Sequence, residues 1–96
     1  MATAIRLYWS ELAIQDLSRI ARHVSASSPH HANKLLDRID ARVQLLVAYP
    51  DAGRVGSTAG TRELVVHKHY LTIYHHSEYQ VTVLRVKHVA RKTVKR

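Results

Sequence analysis

Basic and titratable side chains lie close together near the end of the sequence, at Lys87, His88 and Arg91. A histidine titrates near neutral pH and can transfer a proton, and an arginine can stabilise negative charge as it develops. Cleavage of RNA through its 2′-hydroxyl needs both kinds of group. The competing interpretation is that His88 ends a strand and that its ring forms a local hydrogen bond. The sequence has no Ser/His/Asp order, phosphate-binding loop or paired carboxylates to indicate other chemistry.

Eight histidines in 96 residues raise the question of a metal site. The pairs 30–31 and 75–76, together with His67 and His69, supply possible ligands. Adjacent residues on a strand point to opposite faces, and no carboxylate or third histidine is fixed beside His67 and His69. We therefore expect no metal site and no cofactor.

Three consecutive strands are predicted in the second half of the chain, at residues 61–67, 70–76 and 80–88. These runs are rich in Val, Ile, Leu, Thr and Tyr, and short polar breaks separate them. Gaps this short join antiparallel neighbours. Because side chains alternate across a strand, the third run predicts one face with Thr82, Leu84 and Val86 and the other with Val81, Val83, Arg85 and Lys87.

The first half predicts a short strand at residues 4–9 followed by two helices. Ser10 is expected to cap the first helix, and Ser28 with Pro29 marks the start of the second, which should end near Tyr49. Apolar residues recur at helical spacing in both, at Ala13, Leu17, Ile20 and Val24 and then at Ala32, Leu36, Ile39, Val43 and Leu46. The short connection predicts an antiparallel hairpin. Residues 50–60 contain all three glycines and predict a loop.

The sequence therefore predicts one α+β domain spanning residues 1–96. Its order is an N-terminal strand, an antiparallel two-helix hairpin, and a three-stranded antiparallel sheet (β-α-α-β-β-β). A length of 96 residues permits a single modest core. The absence of cysteine and of any apolar run of 18 residues predicts a cytoplasmic protein that does not enter a membrane.

The chain is strongly basic, with 15 Lys and Arg against 7 Asp and Glu and a formal net charge of +8. This predicts attraction to RNA, DNA or an acidic protein, and charge alone does not choose among them. Lys34, Arg38 and Arg42 are spaced four residues apart on the second predicted helix. This basic ridge is either a solvated surface or a contact for nucleic acid or an acidic partner segment.

Three short motifs, in this order and spacing, give the chain a family resemblance. They are Pro-x-x-Gly-Arg at residues 50–54, Arg-Glu-Leu at 62–64, and Leu-Arg-Val-x-His-x-x-Arg at 84–91. With the predicted element order, they resemble the ParE/RelE superfamily of bacterial toxins over nearly the whole chain. The resemblance implies a small toxin encoded beside a cognate antitoxin that wraps and neutralises it.

Within this superfamily the sequence is most similar to ParE, which inhibits DNA gyrase by binding. RelE-like members are ribosome-dependent mRNA endonucleases that carry Lys and Arg on the sheet and a tyrosine near the C terminus. Here Leu64 and Leu71 stand where catalytic cations would be, and the sequence ends at Arg96 without that tyrosine. Leucine can neither donate to a phosphate nor move a proton. The alternative, a RelE-like endonuclease acting on ribosome-bound mRNA, would use His88, Arg91 and Arg62.

The resemblance also yields candidate contact residues. Those expected to bind the target are Arg62, Arg85, Lys87, His88 and Arg91. Three surplus apolar residues beside the helix stripes, Ile14, Leu35 and Val47, either line an antitoxin groove or fill the core. The core is the favoured place for Leu35 and Val47.

Overall fold

The computed structural model of the protein describes residues 5–89. Its elements are β1 (Arg6–Trp9), α1 (Glu11–Ser25), α2 (Pro29–Ala48), β2 (Arg54–Val55), β3 (Arg62–His67), β4 (Tyr70–His76) and β5 (Gln80–His88). One sheet holds all five strands in the order β1-β5-β4-β3-β2. The predicted α+β order is confirmed. The sheet is larger than predicted because β1 joins it parallel to β5 and because β2 adds an edge.

Both helices begin at the predicted caps. Ser10 Oγ accepts the Ala13 N–H at 3.0 Å, and Ser28 Oγ accepts the His31 N–H at 3.2 Å. Each bond satisfies an N–H that the first helical turn leaves without an intrahelical partner. No helix within residues 5–89 combines the length and apolar character needed to cross a membrane.

The segment predicted as a loop at residues 50–60 contains the two-residue strand β2. Arg54 and Val55 pair antiparallel with Glu63 and Arg62 of β3. A strand this short has no hydrophobic alternation for the sequence to reveal. Gly53, just before it, is buried, and a Cβ there would lie 2.8 Å from the Tyr74 ring and from the Glu63 carbonyl oxygen. Glycine permits this close approach.

A β-bulge interrupts the predicted alternation of β5. Tyr74 of β4 pairs with Val83 and its neighbour Ile73 pairs with Arg85, so Leu84 is the extra residue. An extra residue reverses the facing of everything after it. Val81, Val83 and Val86 consequently all pack in the core. The prediction that Val86 faces away from the two other valines was wrong, because cross-strand register decides it and one strand's pattern does not contain that information.

The core lies between the helical hairpin and one face of the sheet. From α2 it takes Leu35, Ile39, Val43 and Leu46, and from the sheet it takes Leu64, Val66, Tyr70, Tyr74, Val81, Val83 and Val86. The helix α1 contributes Ala13, which is fully buried, and Leu17, Ile20 and Val24, which pack at the margin. Removing this apolar surface from water is the main favourable contribution to folding.

The edge of β5 changes partner halfway along the strand. β1 pairs with β5 only as far as Trp9 opposite Val83. Ser10 then donates its N–H to the Val83 carbonyl at 2.9 Å and its hydroxyl to the Leu84 carbonyl at 2.8 Å. Beyond this point α1 lies along the edge, and Asp16 Oδ2 accepts the Val86 N–H at 2.9 Å. A side chain of α1 thus replaces the strand that would otherwise continue the ladder.

Asp16 also holds two arginines. Arg85 donates from Nε to Oδ2 at 2.8 Å and from Nη2 to Oδ1 at 3.0 Å, and Arg19 donates to Oδ1 at 3.0 Å. Burial by itself would raise the pKa of Asp16, but the hydrogen bonds from Arg85, the Val86 N–H and Arg19 outweigh burial and lower it. Although Asp16 is only 2% exposed, this lowered pKa keeps its carboxylate ionised at neutral pH. The signal in the sequence was an acidic residue beside the apolar stripe of α1, which needs a partner when buried.

The hydroxyl of Tyr74 fastens the segment before β2 to the sheet. It donates to the Pro50 carbonyl at 2.6 Å and accepts the Gly53 N–H at 2.9 Å. The Tyr74 side chain is fully buried, and burial raises its pKa, so the phenol remains protonated at neutral pH. These two hydrogen bonds of Tyr74, here called the clasp, position Arg54 for its pairing with Glu63 of β3.

Replacing Asp16 with asparagine should lower the free energy of unfolding at neutral pH by about 3 kcal/mol, because it leaves Arg85 without its counterion. The folded-state pKa of Asp16 is lowered, so its contribution is complete above the ordinary value of 3.8 and is lost as the pH falls through the folded-state pKa. Denaturant unfolding of wild type and variant between pH 7 and pH 3 measures this. Asp37→Asn, at an exposed carboxylate of α2, is the control. Equal stability of the two variants at neutral pH would contradict the assigned role.

Replacing Tyr74 with phenylalanine should cost about 1–3 kcal/mol, because the buried Gly53 N–H loses its acceptor. Hydrogen exchange should then accelerate at the Gly53 amide more than at the amides of β4. Tyr79→Phe, at a tyrosine that is 56% exposed, controls for loss of a phenol hydroxyl. Unchanged protection of Gly53 in Tyr74→Phe would show that the clasp does not hold this segment.

Candidate target-binding groove

An open groove of ≈ 680 Å³ lies between α1 and the sheet. The α1 side carries Arg19, Ile20 and His23, and the sheet supplies residues of β3, β4 and β5. Ser57, Thr58 and Thr61, from the segment that leads into β3, also line it. Three of the residues predicted to bind a target, Arg85, Lys87 and His88, meet in this groove.

Four charged residues that line the groove form ion pairs within the fold: Asp16, Arg19, Glu63 and Arg85. Glu63, Ile73 and Arg85 are aligned across β3, β4 and β5. Glu63 is 6% exposed and accepts two hydrogen bonds from the Arg54 guanidinium, at 3.1 and 3.3 Å. Arg85 is bound to Asp16, which raises its pKa through the hydrogen bond to that carboxylate. Both groups at this level of the groove therefore stabilise the protein as well as shaping its surface.

His88 belongs to a cluster of rings at the end of the sheet. Its ring stacks on His69 with centroids 5.7 Å apart and meets Tyr70 edge-on at 5.3 Å. The backbone continues this contact, since the Val89 N–H donates to the His69 carbonyl at 2.8 Å. His67 lies 5.6 Å from His69 and completes the cluster. The sequence could not reveal this grouping, because it depends on the turn between β3 and β4 lying beside the end of β5.

The pKa of His67 is lowered, mainly by burial and further by electrostatic interactions with His69, Arg38 and Lys68. A lowered pKa keeps the imidazole of His67 neutral at physiological pH. Within residues 5–89 no three His, Asp or Glu side chains are placed to hold a metal ion together. The ring cluster thus joins the exposed ring of His69 and the half-buried rings of His67 and His88 to the buried ring of Tyr70.

Arg62 lies apart from the other predicted target-binding residues. Its guanidinium donates to the Gly53 carbonyl at 2.7 Å and approaches the Asp51 carboxylate at 3.5 Å. That carboxylate also meets His76 Nε2 at 2.8 Å. Arg62 pairs with Tyr74 in the sheet register, whereas Arg85 pairs with Ile73 and so points to the opposite face. Arg91 lies outside the described residues.

The two leucines that replace expected cations are both inside the protein. Leu64 is 7% exposed and packs in the core, and Leu71 is fully buried. Neither presents a polar group to the groove. An amide or charged side chain at these positions would have to be buried, which is costly without a partner.

The candidate antitoxin-binding residues divide by burial. Ile14 is 54% exposed on α1, Leu35 is packed in the core, and Val47 is half-buried on α2. Sequence reasoning also missed exposed apolar residues on β1 and along the helical hairpin, at Tyr8, Leu12, Leu45 and Tyr49. They escaped notice because they fall outside the regular stripes on which the core prediction was based.

Comparison with known proteins shows the family. A family model described as the ParE toxin of the type II toxin-antitoxin system parDE matches residues 7–93. Toxin RelE2 of Caulobacter vibrioides is 33% identical over 86 residues, covering 90% of this chain and 97% of that protein. The putative toxin Y4kP of Sinorhizobium fredii is 31% identical over 83 residues, covering 86% of each.

Solved structures agree with the fold. A chain of the chromosomal ParDE system from P. aeruginosa superposes with a TM-score of 0.79 at 27% identity, covering 88% of this chain and 96% of that one. A chain of the RelBE2 toxin-antitoxin complex from Mycobacterium tuberculosis gives a TM-score of 0.58 at 19% identity, with coverages of 90% and 99%. At that identity the likeness concerns the fold alone. Taken with the strand, helical hairpin and sheet described above, these matches show that the chain belongs to the ParE toxin family of type II toxin-antitoxin systems, within the ParE/RelE superfamily.

Proposed function

We propose that this toxin inhibits DNA gyrase by binding it, as ParE-like toxins are expected to do, and that a cognate antitoxin neutralises it. The observation that carries the proposal is the state of the groove charges. Arg85 is held by Asp16 and Glu63 by Arg54, so both contribute to the fold. Buried leucines, Leu64 and Leu71, occupy the positions where the resemblance to RelE-like members implies catalytic cations. Such a surface is suited to binding a target rather than to cleaving RNA.

The proposed target surface is the basic side of this groove. Lys87 and His88 supply charge and a flat ring at its sheet side, and Arg85 adds a guanidinium whose side chain is 33% exposed. Arg62 and Arg91 remain proposed contacts at other points of the chain. A net charge of +8 would accelerate encounter with an anionic surface such as a gyrase–DNA complex. Activity on gyrase would place the toxin in the cytoplasm.

The proposed antitoxin surface is the helical hairpin. Ile14 and Leu12 on α1 are 54% and 53% exposed, and Leu45 and Tyr49 on α2 are 44% and 64% exposed. Exposed apolar side chains on both helices are suited to contact with a protein partner. Val47 is half-buried on α2, whereas Leu35 is in the core and would contribute only by positioning α2. The P. aeruginosa relative, described as part of a ParDE system, supports an antitoxin partner.

A RelE-like endonuclease acting on ribosome-bound mRNA is the second candidate. One observation favours it, the stacking of His88 on His69 beside Lys87 in the groove. An imidazole pair next to a cation could transfer a proton and stabilise a phosphate. The similarity to a protein named Toxin RelE2 points the same way.

A supercoiling assay and a translating extract separate these candidates. The purified chain should inhibit gyrase supercoiling and leave messages intact. Lys87→Glu should weaken inhibition about tenfold without moving the thermal midpoint, because a reversed charge opposes the target. Lys34→Glu, which makes the same charge change on α2, is the control. Message cleavage that His88→Ala abolishes, with no effect on supercoiling, would favour the endonuclease.

A further inference from the structure

β1 forms one end of the sheet, and no strand within the part of the chain that the structure describes covers its outer side. Arg6 donates its N–H to the Tyr79 carbonyl at 2.9 Å and so faces β5. Successive residues of a strand direct their N–H and C=O groups to alternate sides. The N–H and C=O of Leu7 and Trp9 therefore point outward, where no described group bonds them. These groups can form a ladder with one further strand.

A second copy of β1 matches this edge in its hydrogen bonds. In an antiparallel ladder, pairs that exchange two N–H···O bonds alternate with pairs that exchange none. When two copies of β1 meet about a twofold axis at Tyr8, Leu7 lies opposite Trp9 of the second copy, and Trp9 lies opposite Leu7. Each outward N–H and C=O of Leu7 and Trp9 then has a partner. Tyr8 lies opposite Tyr8 of the second copy, in the pair that exchanges no bonds.

The side chains of β1 also fit this arrangement. Leu7 and Trp9 pack against the core, so Tyr8 between them points to the opposite face of the sheet, where it is 45% exposed. The Tyr8 ring does not line the target-binding groove and does not lie on the helical hairpin. Aromatic side chains that face each other across an antiparallel ladder stabilise it. The twofold axis gives this exposed ring such a partner.

The charges at the ends of β1 are complementary across the same axis. Arg6 would lie opposite Ser10 of the second copy and beside its Glu11. Both Arg6 and Glu11 are exposed, and neither forms an ion pair with another residue in the described range 5–89. The net charge of +8 opposes association at low ionic strength. Salt above about 0.15 M screens charges more than about 8 Å apart, so it should strengthen the pairing.

We propose that two copies of this chain associate through β1, antiparallel about a twofold axis at Tyr8, which joins their five-stranded sheets into one. No residue of β1 lines the target-binding groove, so both grooves stay open in the dimer. Such a dimer does not depend on which target the toxin binds. Failure of the gyrase proposal would leave it standing.

A disulfide across the axis tests the register, because the chain has no cysteine of its own. The Cα atoms of a pair that exchanges no bonds are about 4.5 Å apart, a separation that a disulfide spans. Under mild oxidation in salt, Tyr8→Cys should form cross-linked dimer at least about tenfold faster than two controls. In Arg6→Cys the two thiols would be four residues apart along the ladder, roughly 14 Å. Val55→Cys places a thiol at a residue that is 77% exposed on β2, at the other end of the sheet.

Sedimentation equilibrium of the wild type and of two charge variants tests the association without a cross-link. Tyr8→Glu places like charges opposite each other at the axis and should weaken association at least about tenfold, with an unchanged thermal midpoint. Val55→Glu makes the same charge change and should leave association unchanged. A wild type that stays monomeric at about 1 mM would overturn the proposal. Equal cross-linking rates in the three cysteine variants, or a dimer that Tyr8→Glu does not weaken, would also overturn it.

Discussion

The replacement of β1 by Asp16 along the edge of β5 is the contact on which the rest of the structure depends. A strand edge inside a protein must have its N–H groups satisfied. Here β1 ends at Trp9, Ser10 bonds the Leu84 carbonyl while it caps α1, and Asp16 takes the Val86 N–H. These bonds fix the exit angle of α1 and hence its position against the sheet. Because Ser10 and Asp16 hold α1 against the edge of β5, the groove lies between this helix and the sheet.

The same contact bears on the proposal that the groove binds a target. Arg85 lines the groove, and both of its described hydrogen bonds go to Asp16. An arginine that closes a buried ion pair can present its exposed fraction to a partner, but moving it would leave Asp16 uncompensated at a cost of about 3–5 kcal/mol. Lys87 and the ring cluster around His88 lie at the rim of the groove and are not part of the Asp16–Arg85 ion pair. The proposal accordingly places target contacts at the rim.

Local chemistry made much of the fold readable in the sequence. Ser10 and Ser28 mark helix starts through bonds that span three residues, so no distant partner had to be known. Pro29 marks the second start because the first helical position needs no N–H. The bulge at Leu84 was not readable, because it arises from how β5 aligns with β4. Nor was the binding of Arg62 to the Gly53 carbonyl, which gives a predicted contact residue a structural role beside β2 as well. Gly53 was taken with the other glycines as a sign of a loop, whereas its role is close approach to Tyr74.

The candidate site was likewise predictable only in part. Lys87 and His88 were found together because they are adjacent in sequence, and Arg85 joined them through strand periodicity. His69 and Tyr70 were missed, since only the folded sheet brings their turn beside His88. Asp16 could have been suspected, as an acidic residue next to a buried stripe. Its partner was out of reach, because Arg85 is 69 residues away along the chain.

The most direct test of the account is the affinity of the purified toxin for purified gyrase, measured by titration beside purified ribosomes. The account predicts saturable binding to gyrase that His88→Ala and Lys87→Glu weaken while the free energy of unfolding stays within about 0.5 kcal/mol of wild type. Binding to ribosomes alone, followed by cleavage of a bound message that depends on His88, would contradict it.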